Sequence, residues 1–550
     1  MEILTVEALS FRYPECKTPA VRDVSFSVTE GELLLLCGAT GSGKSTLLRL
    51  LKRELVPLGE RCGRVLYRGV PTEALSEKLS ASAVGFVAQR PEQQLVTDKV
   101  WHELAFGLEN LNVPQDVIAR RVAETACYFG IEGWFSKNVS ELSGGQKQLL
   151  NLASVMVMSP KLIILDEPTA QLDPIAASEF ITTIKKLNDD LGLTVIIAEH
   201  RLEELLPLCD RMLVMENGRL TKNGTPRSVV PTFTCSDALF SAMPTAARLA
   251  GMLEYRGDAP PLTVREGRAF IENGYNDHLR TLPERPEATE KKAALELNEV
   301  YFRFERELPD VLRGLTLTVY EGEIFCILGG NGAGKSTALG VAAGLLKPYS
   351  GQIRILGQSI KRYRDMSLYK NTLSLLPQDV QTVFLKNTVR EELHDVGITE
   401  EELPYRLDYL LDKHPYDCSG GEQQLIALAK VLASRPRILL VDEPTKGLDA
   451  GRRDELAAIF RGLRDTGVTV IIVTHDTEFA AECATRCAML FRGQSVSVGT
   501  PEEFFSENSF YTTAAARIGR GHFDRAVTVG QLAELCRQNG TKNGGTSCLP

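Results

Sequence analysis

The stretch GATGSGKST at residues 38–46 returns at residues 329–337 as GGNGAGKST. Both copies match the pattern G-x-x-x-x-G-K-[ST], in which glycines let the backbone wrap closely around phosphate groups. Each copy follows an apolar, strand-like run and precedes a helical pattern, and a helix N-terminus attracts anions. The candidate phosphate-binding residues are Gly38, Gly41, Gly43, Lys44, Ser45 and Thr46 in the first copy and Gly329, Gly332, Gly334, Lys335, Ser336 and Thr337 in the second.

The sequence that follows each glycine-rich stretch is also repeated. The distance from Ser143 to Asp166 is 23 residues, and the distance from Ser419 to Asp442 is 23 residues as well. The chain is therefore interpreted as a tandem duplication of about 225 residues per copy. The matching segments are LSGGQKQ (142–148), LIILDEPTAQLD (162–173) and VIIAEH (195–200) in the first copy and CSGGEQQ (418–424), ILLVDEPTKGLD (438–449) and VIIVTH (470–475) in the second.

Short apolar runs alternate with helical patterns in each copy, which predicts an α/β fold on a mainly parallel sheet. We expect a first domain at 1–225, a helical appendage and linker at 226–293, a second domain at 294–500 and a C-terminal extension at 501–550. The pattern TVGQLAELCRQ in the extension predicts one helix, and the final NGTKNGGTSCLP is expected to be disordered.

The bulk composition narrows the class of protein. The net charge is −9 and the pI about 5.6, which argues against a broad nucleic-acid surface. No apolar run approaches the about 20 residues of a membrane helix, and the N-terminus lacks the layout of a signal peptide. The 12 cysteines show no metal-like or disulfide-like spacing. A cytosolic location with free thiols is expected.

Polar residues at the ends of the apolar runs can complete a phosphate site. The lysines Lys44 and Lys335 would pair with the β- and γ-phosphates, and the adjacent serines could ligate Mg²⁺. The carboxylates of Asp166 and Asp442 would reach the same metal shell. Glu167 and Glu443 are placed to polarise an attacking water, and His200 and His475 to sense the γ-phosphate.

A second anion-binding helix start is predicted in each copy. Ser-Gly-Gly before a helical run supplies exposed N–H groups at a helix N-terminus. Because each copy already has its own phosphate loop, the second start is expected to serve the nucleotide of a neighbouring copy. Two copies in one chain would then pair around two ATP molecules. The residues concerned are Ser143, Gly144 and Gly145 in the first copy and Ser419, Gly420 and Gly421 in the second.

This set of motifs resembles the ATP-binding cassette (ABC) family over nearly all of 1–225 and 294–500. The resemblance implies two tandem P-loop cassettes, each with a RecA-like sheet, a β subdomain and a helical signature subdomain. ATP binding would close the pair and hydrolysis would open it. The resemblance also implies an adenine-stacking aromatic (Tyr13, Phe304), glutamines that touch Mg²⁺ and the attacking water (Gln89, Gln378) and residues that couple the two sites (Asp173, Asp449).

Four sequence segments are similar to the ATPases of energy-coupling factor (ECF) transporters. They are residues 87–114, 199–220, 388–393 and 501–520. In that family cytosolic ATPases bind a transmembrane coupling protein, which a small substrate-binding membrane protein joins. Vitamins and transition-metal ions are the usual cargo. The implied location is the cytoplasmic face of the membrane, without nucleic acid. Pro91, Gln93 and Gln94 would belong to the groove that receives the coupling helices.

Three features depart from the family pattern. The second signature begins with Cys418 and has Glu422 where the first has Gln146, although its serine and glycines are intact. Val380 stands where a proline is expected. Gln378 is 41 residues from Ser419, against 54 between the corresponding residues of the first copy. We therefore expect a smaller second helical subdomain and an asymmetric contact with the membrane partner.

Two other classes of tandem cassette protein were weighed against the importer. A soluble ATPase that acts on ribosomes is disfavoured by the Pro-interrupted linker and the acidic charge balance. A DNA-repair cassette protein would need a large zinc or coiled-coil insertion, and none is visible in the sequence. Because both copies retain their glutamate and histidine, two hydrolytic sites are predicted.

Overall fold

The computed structural model describes residues 1–14, 16–255, 257, 259–275, 282, 292–363, 367–399 and 407–539. The predicted disordered end is 539–550; its residues 540–550 lie outside the described residues, whereas Asn539 is the last residue of a helix. Most of the polar end of the linker also lies outside the described residues. The described chain forms two compact units. Unit 1 comprises Met1–Pro244 with Arg256–Thr263, and unit 2 comprises Thr245–Tyr255 with the chain from Val264 onward. The predicted linker is thus divided between the two units.

The main sheet of unit 1 has six strands in the order β10-β9-β3-β8-β7-β6. Strands β3, β7 and β8 are buried along their whole length, as expected for parallel strands that are covered on both faces. Strand β10 pairs antiparallel with β9 at the edge, and the other neighbours are parallel. The strands are β3 (Leu33–Cys37), β6 (Val84–Val87), β7 (Leu162–Asp166), β8 (Thr194–Ala198), β9 (Arg211–Glu216) and β10 (Arg219–Gly224).

A smaller antiparallel sheet of unit 1 has the order β2-β1-β4-β5. Its two longest strands alternate between buried and more exposed positions, so that one face packs on the core that also contains the main sheet. Its members are β1 (Glu2–Arg12), β2 (Val21–Thr29), β4 (Glu60–Tyr67) and β5 (Val70–Pro71).

The described residues of unit 1 also form eight α-helices. The apolar faces of α3, α4 and α5 share a separate hydrophobic core, and this layer is the helical signature subdomain. The helices are α1 (Lys44–Leu50), α2 (Glu77–Ala83), α3 (Val100–Asn110), α4 (Gln115–Tyr128), α5 (Gly144–Met156), α6 (Pro174–Leu191), α7 (Leu202–Leu205) and α8 (Pro226–Val229).

Unit 2 repeats both sheets, in the orders β12-β11-β14-β15 and β16-β17-β18-β13-β19-β20. The central strands are again buried, and only the edge pair of the larger sheet is antiparallel. The strands are β11 (Ala293–Phe302), β12 (Leu312–Tyr320), β13 (Ile324–Leu328), β14 (Ser350–Ile355), β15 (Gln358–Ser359), β16 (Leu373–Leu376), β17 (Ile438–Asp442), β18 (Thr469–Thr474), β19 (Arg486–Phe491) and β20 (Gln494–Gly499).

The part of unit 2 that the structure describes contains ten α-helices. Between Gln378 and Ser419 the described residues form one α-helix of seven residues, against two longer helices in unit 1. The helices are α9 (Thr245–Met252), α10 (Val264–Gly274), α11 (Lys335–Ala342), α12 (Val389–Asp395), α13 (Gly420–Leu432), α14 (Ala450–Asp465), α15 (Thr477–Cys483), α16 (Pro501–Glu507), α17 (Ala514–Gly519) and α18 (Val529–Asn539).

Four helices of unit 2, which we call the tail module, share a hydrophobic core of their own. Helices α9 and α10 come from the predicted linker, and α17 and α18 come from the C-terminal extension. Ala246, Leu249 and Ile271 from the linker pack with Ile518 and Leu532 from the extension. The predicted helix TVGQLAELCRQ is present as α18. The linker helices α9 and α10 bury their apolar faces against the C-terminal extension. Without this contact those apolar faces would be exposed to water.

The α/β class and the tandem arrangement predicted from the sequence are confirmed. Each unit has a mainly parallel sheet, a smaller antiparallel sheet and a helical layer. Among the described residues no helix is both long enough and apolar enough to cross a bilayer.

We predict that Leu532→Ala loosens the tail module. The side chain is fully buried in the tail-module core, and a buried Leu→Ala change costs about 2–5 kcal/mol. Hydrogen exchange should show weaker amide protection in both α18 and α9. Leu345→Ala, at a leucine that is 62% exposed in the same unit, is the matched control. Faster exchange in α18 alone would contradict a shared core.

Candidate functional site

The first glycine-rich loop is built around the side chain of Lys44. Gly43 has φ +101°, and a Cβ at this position would lie 2.2 Å from the carbonyl oxygen of Ala20, so only glycine fits. The Lys44 side chain is 4% exposed, and its Nζ donates to the carbonyl oxygens of Gly38 at 2.8 Å and Ala39 at 3.1 Å. Gly41 belongs to the same turn, and Ser45 and Thr46 open α1. The predicted phosphate loop therefore has its lysine fixed beneath it.

The second loop repeats this construction in unit 2. Gly334 has φ +97°, and Lys335 Nζ donates to the carbonyl oxygens of Gly329 at 2.9 Å and Gly330 at 3.2 Å. Gly332 lies in the same turn, and Ser336 and Thr337 open α11. The repeat predicted from the sequence thus extends to the hydrogen bonds of the lysine.

A serine and an aspartate meet beside each loop. Ser45 Oγ donates to Asp166 Oδ1 at 2.9 Å, and Ser336 Oγ donates to Asp442 Oδ1 at 3.1 Å. Burial, together with the neighbouring charge of Glu167, raises the pKa of Asp166 to about 6, against the hydrogen bond from Ser45. Burial also raises the pKa of Asp442. A hydroxyl and a buried carboxylate are oxygen ligands that suit Mg²⁺, whose charge would offset these shifts.

The glutamate of unit 1 is held between two predicted partners. Glu167 Oε1 lies 2.7 Å from Nε2 of His200, and Glu167 Oε2 accepts a hydrogen bond from Gln89 Nε2 at 2.9 Å. The backbone of Glu167 is left-handed, with φ +46°, which is unusual outside glycine. Pro168 disfavours a right-handed helical conformation at the residue before it. The structure therefore brings the predicted water-polarising group, the predicted γ-phosphate sensor and the glutamine together.

The glutamate of unit 2 also contacts its loop lysine, as Glu167 contacts Lys44 Nζ at 3.9 Å, and its histidine, but the histidine contact is made through different atoms. Glu443 Oε2 lies 2.9 Å from His475 Nδ1 and also accepts the backbone N–H of His475 at 3.2 Å. Glu443 Oε1 lies 3.5 Å from Lys335 Nζ, and φ is +48°. Burial would raise the pKa of Glu443, but the hydrogen bond and charge of His475 and the charge of Lys335 lower it.

Gln378 is not placed as its counterpart Gln89 is. Its side chain is exposed and makes no hydrogen bond to Glu443 among the described residues. In unit 1, Gln94 accepts from the N–H of Ala88 at 2.9 Å and donates to the Phe86 carbonyl at 2.8 Å, which binds the loop of Gln89 to β6. Val383 occupies the corresponding position in unit 2 and cannot make these bonds. Gln378 and Gln89 are therefore placed differently in this structure, and the predicted contact of Gln378 with Mg²⁺ and the attacking water stays a prediction.

The three predicted groove residues of unit 1 have different environments. Pro91 is buried, and the Gln94 side chain is engaged inside its own loop. Gln93 is exposed. Of the three, only the Gln93 side chain is presented to solvent in the way that a groove-lining residue requires, and the assignment stays a prediction.

The signature residues lie at the starts of α5 and α13 in the helical layers. Ser143 caps α5 by accepting the N–H of Gln146, whose side chain accepts the N–H of Ser143 in return. Ser419 and Glu422 form the same capping box on α13. Tyr409 also donates to Glu422, at 3.0 Å. The glycines Gly144, Gly145, Gly420 and Gly421 form the first turns, and their phosphate contacts stay predictions.

The remaining predicted residues have clear local roles. Tyr13 lies beside the first loop, with its hydroxyl 3.1 Å from the hydroxyl of Thr46, and it packs edge-on against Phe11. Phe304 is 62% exposed at the end of β11 and is open to a stacking partner. Asp173 and Asp449 cap α6 and α14 by accepting the N–H groups of Ala176 and Arg452.

Sequence reasoning missed Glu199, which precedes His200 and is 2% exposed. Its carboxylate accepts the N–H and the hydroxyl of Thr169 at 2.9 and 2.7 Å and the N–H of His200 at 3.2 Å. Burial raises its pKa, and the hydrogen bonds from Thr169 oppose this effect. A charged residue at the end of an otherwise apolar buried strand is the sequence signal that could have indicated it.

We predict that Asp166→Asn stabilises the chain in the absence of nucleotide and Mg²⁺. The folded-state pKa of about 6 exceeds the unfolded value of about 3.9, so the carboxyl favours folding at low pH and this contribution is lost as the pH rises to 6. Asparagine keeps an oxygen for Ser45 without the charge. The gain should be about 1–3 kcal/mol at pH 7.5. Thermal unfolding midpoints at pH 7.5 and pH 5 measure it.

The gain from Asp166→Asn should shrink at the lower pH. Asp190→Asn, at an exposed position of α6, serves as the control and should change the midpoint little at either pH. A gain at Asp166 of equal size at both values would show that charge burial is not its cause.

Comparison with known proteins identifies the family. A family model described as ABC transporter matches residues 21–170 and 312–446. A "Putative ABC transporter ATP-binding protein" of Bacillus thuringiensis subsp. konkukian (strain 97-27) is 40% identical over 542 residues, covering 96% of this chain and 98% of that protein. A "Putative HMP/thiamine import ATP-binding protein" of Bacillus subtilis (strain 168) is 32% identical over 523 residues, covering 92% and 93%.

A solved structure supports the tandem fold. The archaeal ribosome recycling factor aABCE1, in complex with the ribosomal stalk protein aP1, aligns with a TM-score of 0.58 and 21% identity over 91% of each chain. At this identity the match shows a shared fold alone. Since the family model matches both copies and the curated relatives span nearly the whole chain, the protein belongs to the ABC transporter family and is an ATPase with two tandem ATP-binding cassettes.

Proposed function

We propose that the chain is the ATP-hydrolysing, energy-coupling subunit of an ECF-type importer that takes up a vitamin or a metal ion through separate transmembrane subunits. The observation that carries this proposal is the relative named for HMP/thiamine import, which is 32% identical over 92% of the chain. HMP/thiamine is therefore the first cargo to test. The chain itself would lie at the cytoplasmic face of the membrane as a peripheral subunit.

The geometry of both centres supports hydrolysis. In each unit a buried lysine lies under the glycine-rich loop, and a serine–aspartate pair beside it would hold Mg²⁺. The bound cation would neutralise phosphate charge. A glutamate then follows within hydrogen-bond reach of a histidine. We infer that Glu167 and Glu443 each orient the attacking water, with His200 and His475 beside the γ-phosphate.

Exposed apolar side chains near the loop of Gln89 support docking of a membrane partner. Val96 is 63% exposed, Trp101 is 44% exposed and Phe106 is 38% exposed. Trp101 and Phe106 lie on α3, and Val96 shortly precedes this helix; we call these three residues the apolar patch because they are exposed within one short segment. Several large apolar side chains exposed to water in one segment are typical of a protein–protein contact. A transmembrane coupling protein, accompanied by a small substrate-binding membrane protein, is the partner proposed for the apolar patch.

The alternative of an ATPase that acts on ribosomes has less support. The likeness to the ribosome recycling factor is at 21% identity and speaks only to the fold. The net charge of −9 disfavours a broad contact with RNA phosphates. Identifying the bound partner separates the two functions directly.

We predict that Glu167→Gln and Glu443→Gln each lower ATP turnover strongly, by about 10²-fold or more for the centre that carries the change. Glutamine keeps the size of the side chain but cannot accept the proton of the attacking water. Steady-state phosphate release with purified full-length chain measures kcat, and ATP affinity should change little. The double variant identifies which centre hydrolyses ATP when a single variant keeps near-normal turnover. If the double variant is no slower than Glu167→Gln alone, the second centre is not hydrolytic. If it is no slower than Glu443→Gln alone, the first centre is not hydrolytic.

We predict that the tagged chain, purified from gently solubilised native membranes, brings down a polytopic membrane protein and a small membrane protein. The double variant Trp101→Ala/Phe106→Ala should lose most of this capture because the apolar patch is removed. ATPase activity of the purified variant alone should stay within about twofold, since surface changes seldom disturb a fold. Mass spectrometry of the captured proteins and of any bound small molecule gives the readout.

The control for this experiment is Phe510→Ala, at an aromatic that is 92% exposed in unit 2 and outside the apolar patch. It should capture the same proteins as the unmodified chain. Capture of ribosomal proteins, with no membrane protein, would overturn the importer and favour the ribosomal alternative.

A further inference from the structure

Glu199 joins the two chain segments that carry the catalytic groups of the first centre. Thr169 lies three residues after Asp166, at the end of β7, and His200 follows the end of β8. Strands β7 and β8 are parallel neighbours, with Asp166 opposite Ala198. One buried carboxylate accepts the N–H and hydroxyl of Thr169 through Oε1 and the N–H of His200 through Oε2. Three donors offset the cost of burying this carboxylate.

The second centre lacks this connection. Thr474 occupies the position before its histidine, and its hydroxyl accepts the N–H of Asp476 at 3.0 Å. Thr445, the counterpart of Thr169, has a buried hydroxyl with no hydrogen-bond partner in the part of the chain that the structure describes. The backbone N–H of His475 donates to Glu443 itself, at 3.2 Å. The two centres therefore differ in which carboxylate receives the histidine N–H.

We propose that Glu199 is a positioning residue of the first ATPase centre alone. Its carboxylate accepts the backbone N–H of His200. In the other unit the corresponding N–H, that of His475, is bound by the catalytic glutamate Glu443. Glu167 is thereby oriented with one oxygen to His200 Nε2 and the other to Gln89. Glu199 also fixes the turn that begins at Glu167, whose left-handed backbone needs support from its surroundings. This role concerns ATP hydrolysis and is independent of the cargo and of the membrane partner.

The test replaces Glu199 by the residue that the second centre uses. In full-length chain carrying Glu443→Gln, so that turnover reports the first centre, Glu199→Thr should lower kcat by about tenfold, as expected when a reacting group is misplaced. KM for ATP should stay within about twofold, because Lys44 and Ser45 keep their own contacts. The split between kcat and KM distinguishes positioning from a loss of nucleotide binding.

Two further variants make the result decisive. Glu199→Gln has the same size and keeps an oxygen for Thr169, but its amide NH₂ would face the N–H of His200. It should lower kcat by about threefold with an unchanged thermal unfolding midpoint. Thr474→Val in the Glu167→Gln background is the matched control, because Thr474 does not bind Thr445, and its kcat should stay within about twofold of that background.

The proposal is overturned if Glu199→Gln keeps both its midpoint and its kcat, or if KM rises as much as kcat falls in Glu199→Thr. If the chain carrying Glu443→Gln or the chain carrying Glu167→Gln has no measurable ATP turnover, the Glu199 and Thr474 variants are compared in the otherwise unmutated chain. A lower kcat at Glu199 but not at Thr474 is then expected, and equal effects at the two positions overturn the proposal.

Discussion

Two adjacent carboxylates at the buried end of one strand are the constraint around which each cassette is arranged. Asp166 and Glu167 are both nearly removed from water, and isolated charges in such a position are costly. Neighbouring elements supply the donors that make the pair tolerable. Ser45 comes from α1, and His200 follows β8. The order of strands in the sheet brings these donors together, because β3, β8 and β7 are parallel neighbours that end at the same edge.

The two cassettes share this frame and differ in how it is completed. In unit 1 the glutamate is bound by His200 through the ring and by Gln89, while Glu199 binds the histidine backbone. In unit 2 a single oxygen of Glu443 receives both groups of His475. Two sequence positions accompany this difference, since Val383 stands in place of Gln94 in the loop and Thr474 in place of Glu199. Two copies that share their lysine, serine, aspartate, glutamate and histidine therefore form centres with different hydrogen bonds.

The sequence was informative wherever a motif residue is bound by its near neighbours or by the sheet. The glycine-rich loops, the strand-end acids and the histidines were all placed at one edge because parallel strands leave no other arrangement. The left-handed backbones of Glu167 and Glu443 could not have been anticipated, since the proline that follows each of them favours an extended conformation instead. The exposed position of the Gln378 side chain could not be predicted from its motif. Val383 lacks the hydrogen bonds by which Gln94 holds the loop of Gln89. The shared core of the tail module was also hidden, since it joins segments about 250 residues apart through apolar contacts that any amphipathic helix could make.

The locally unfavourable features of the molecule coincide with the groups that would meet a nucleotide. Asp166 has a pKa raised to about 6 beside Glu167, and both glutamates have strained backbones. The charge of the buried carboxylates would cost less with a cation in place, because the cation would neutralise it. A ligand that relieves such costs binds the folded cassette and stabilises it. ATP binding would thus be linked to the same few residues that are proposed to set hydrolysis. The apolar patch begins at Val96, seven residues after Gln89, so the proposed membrane partner would dock on the segment that directly follows the loop bound to Glu167.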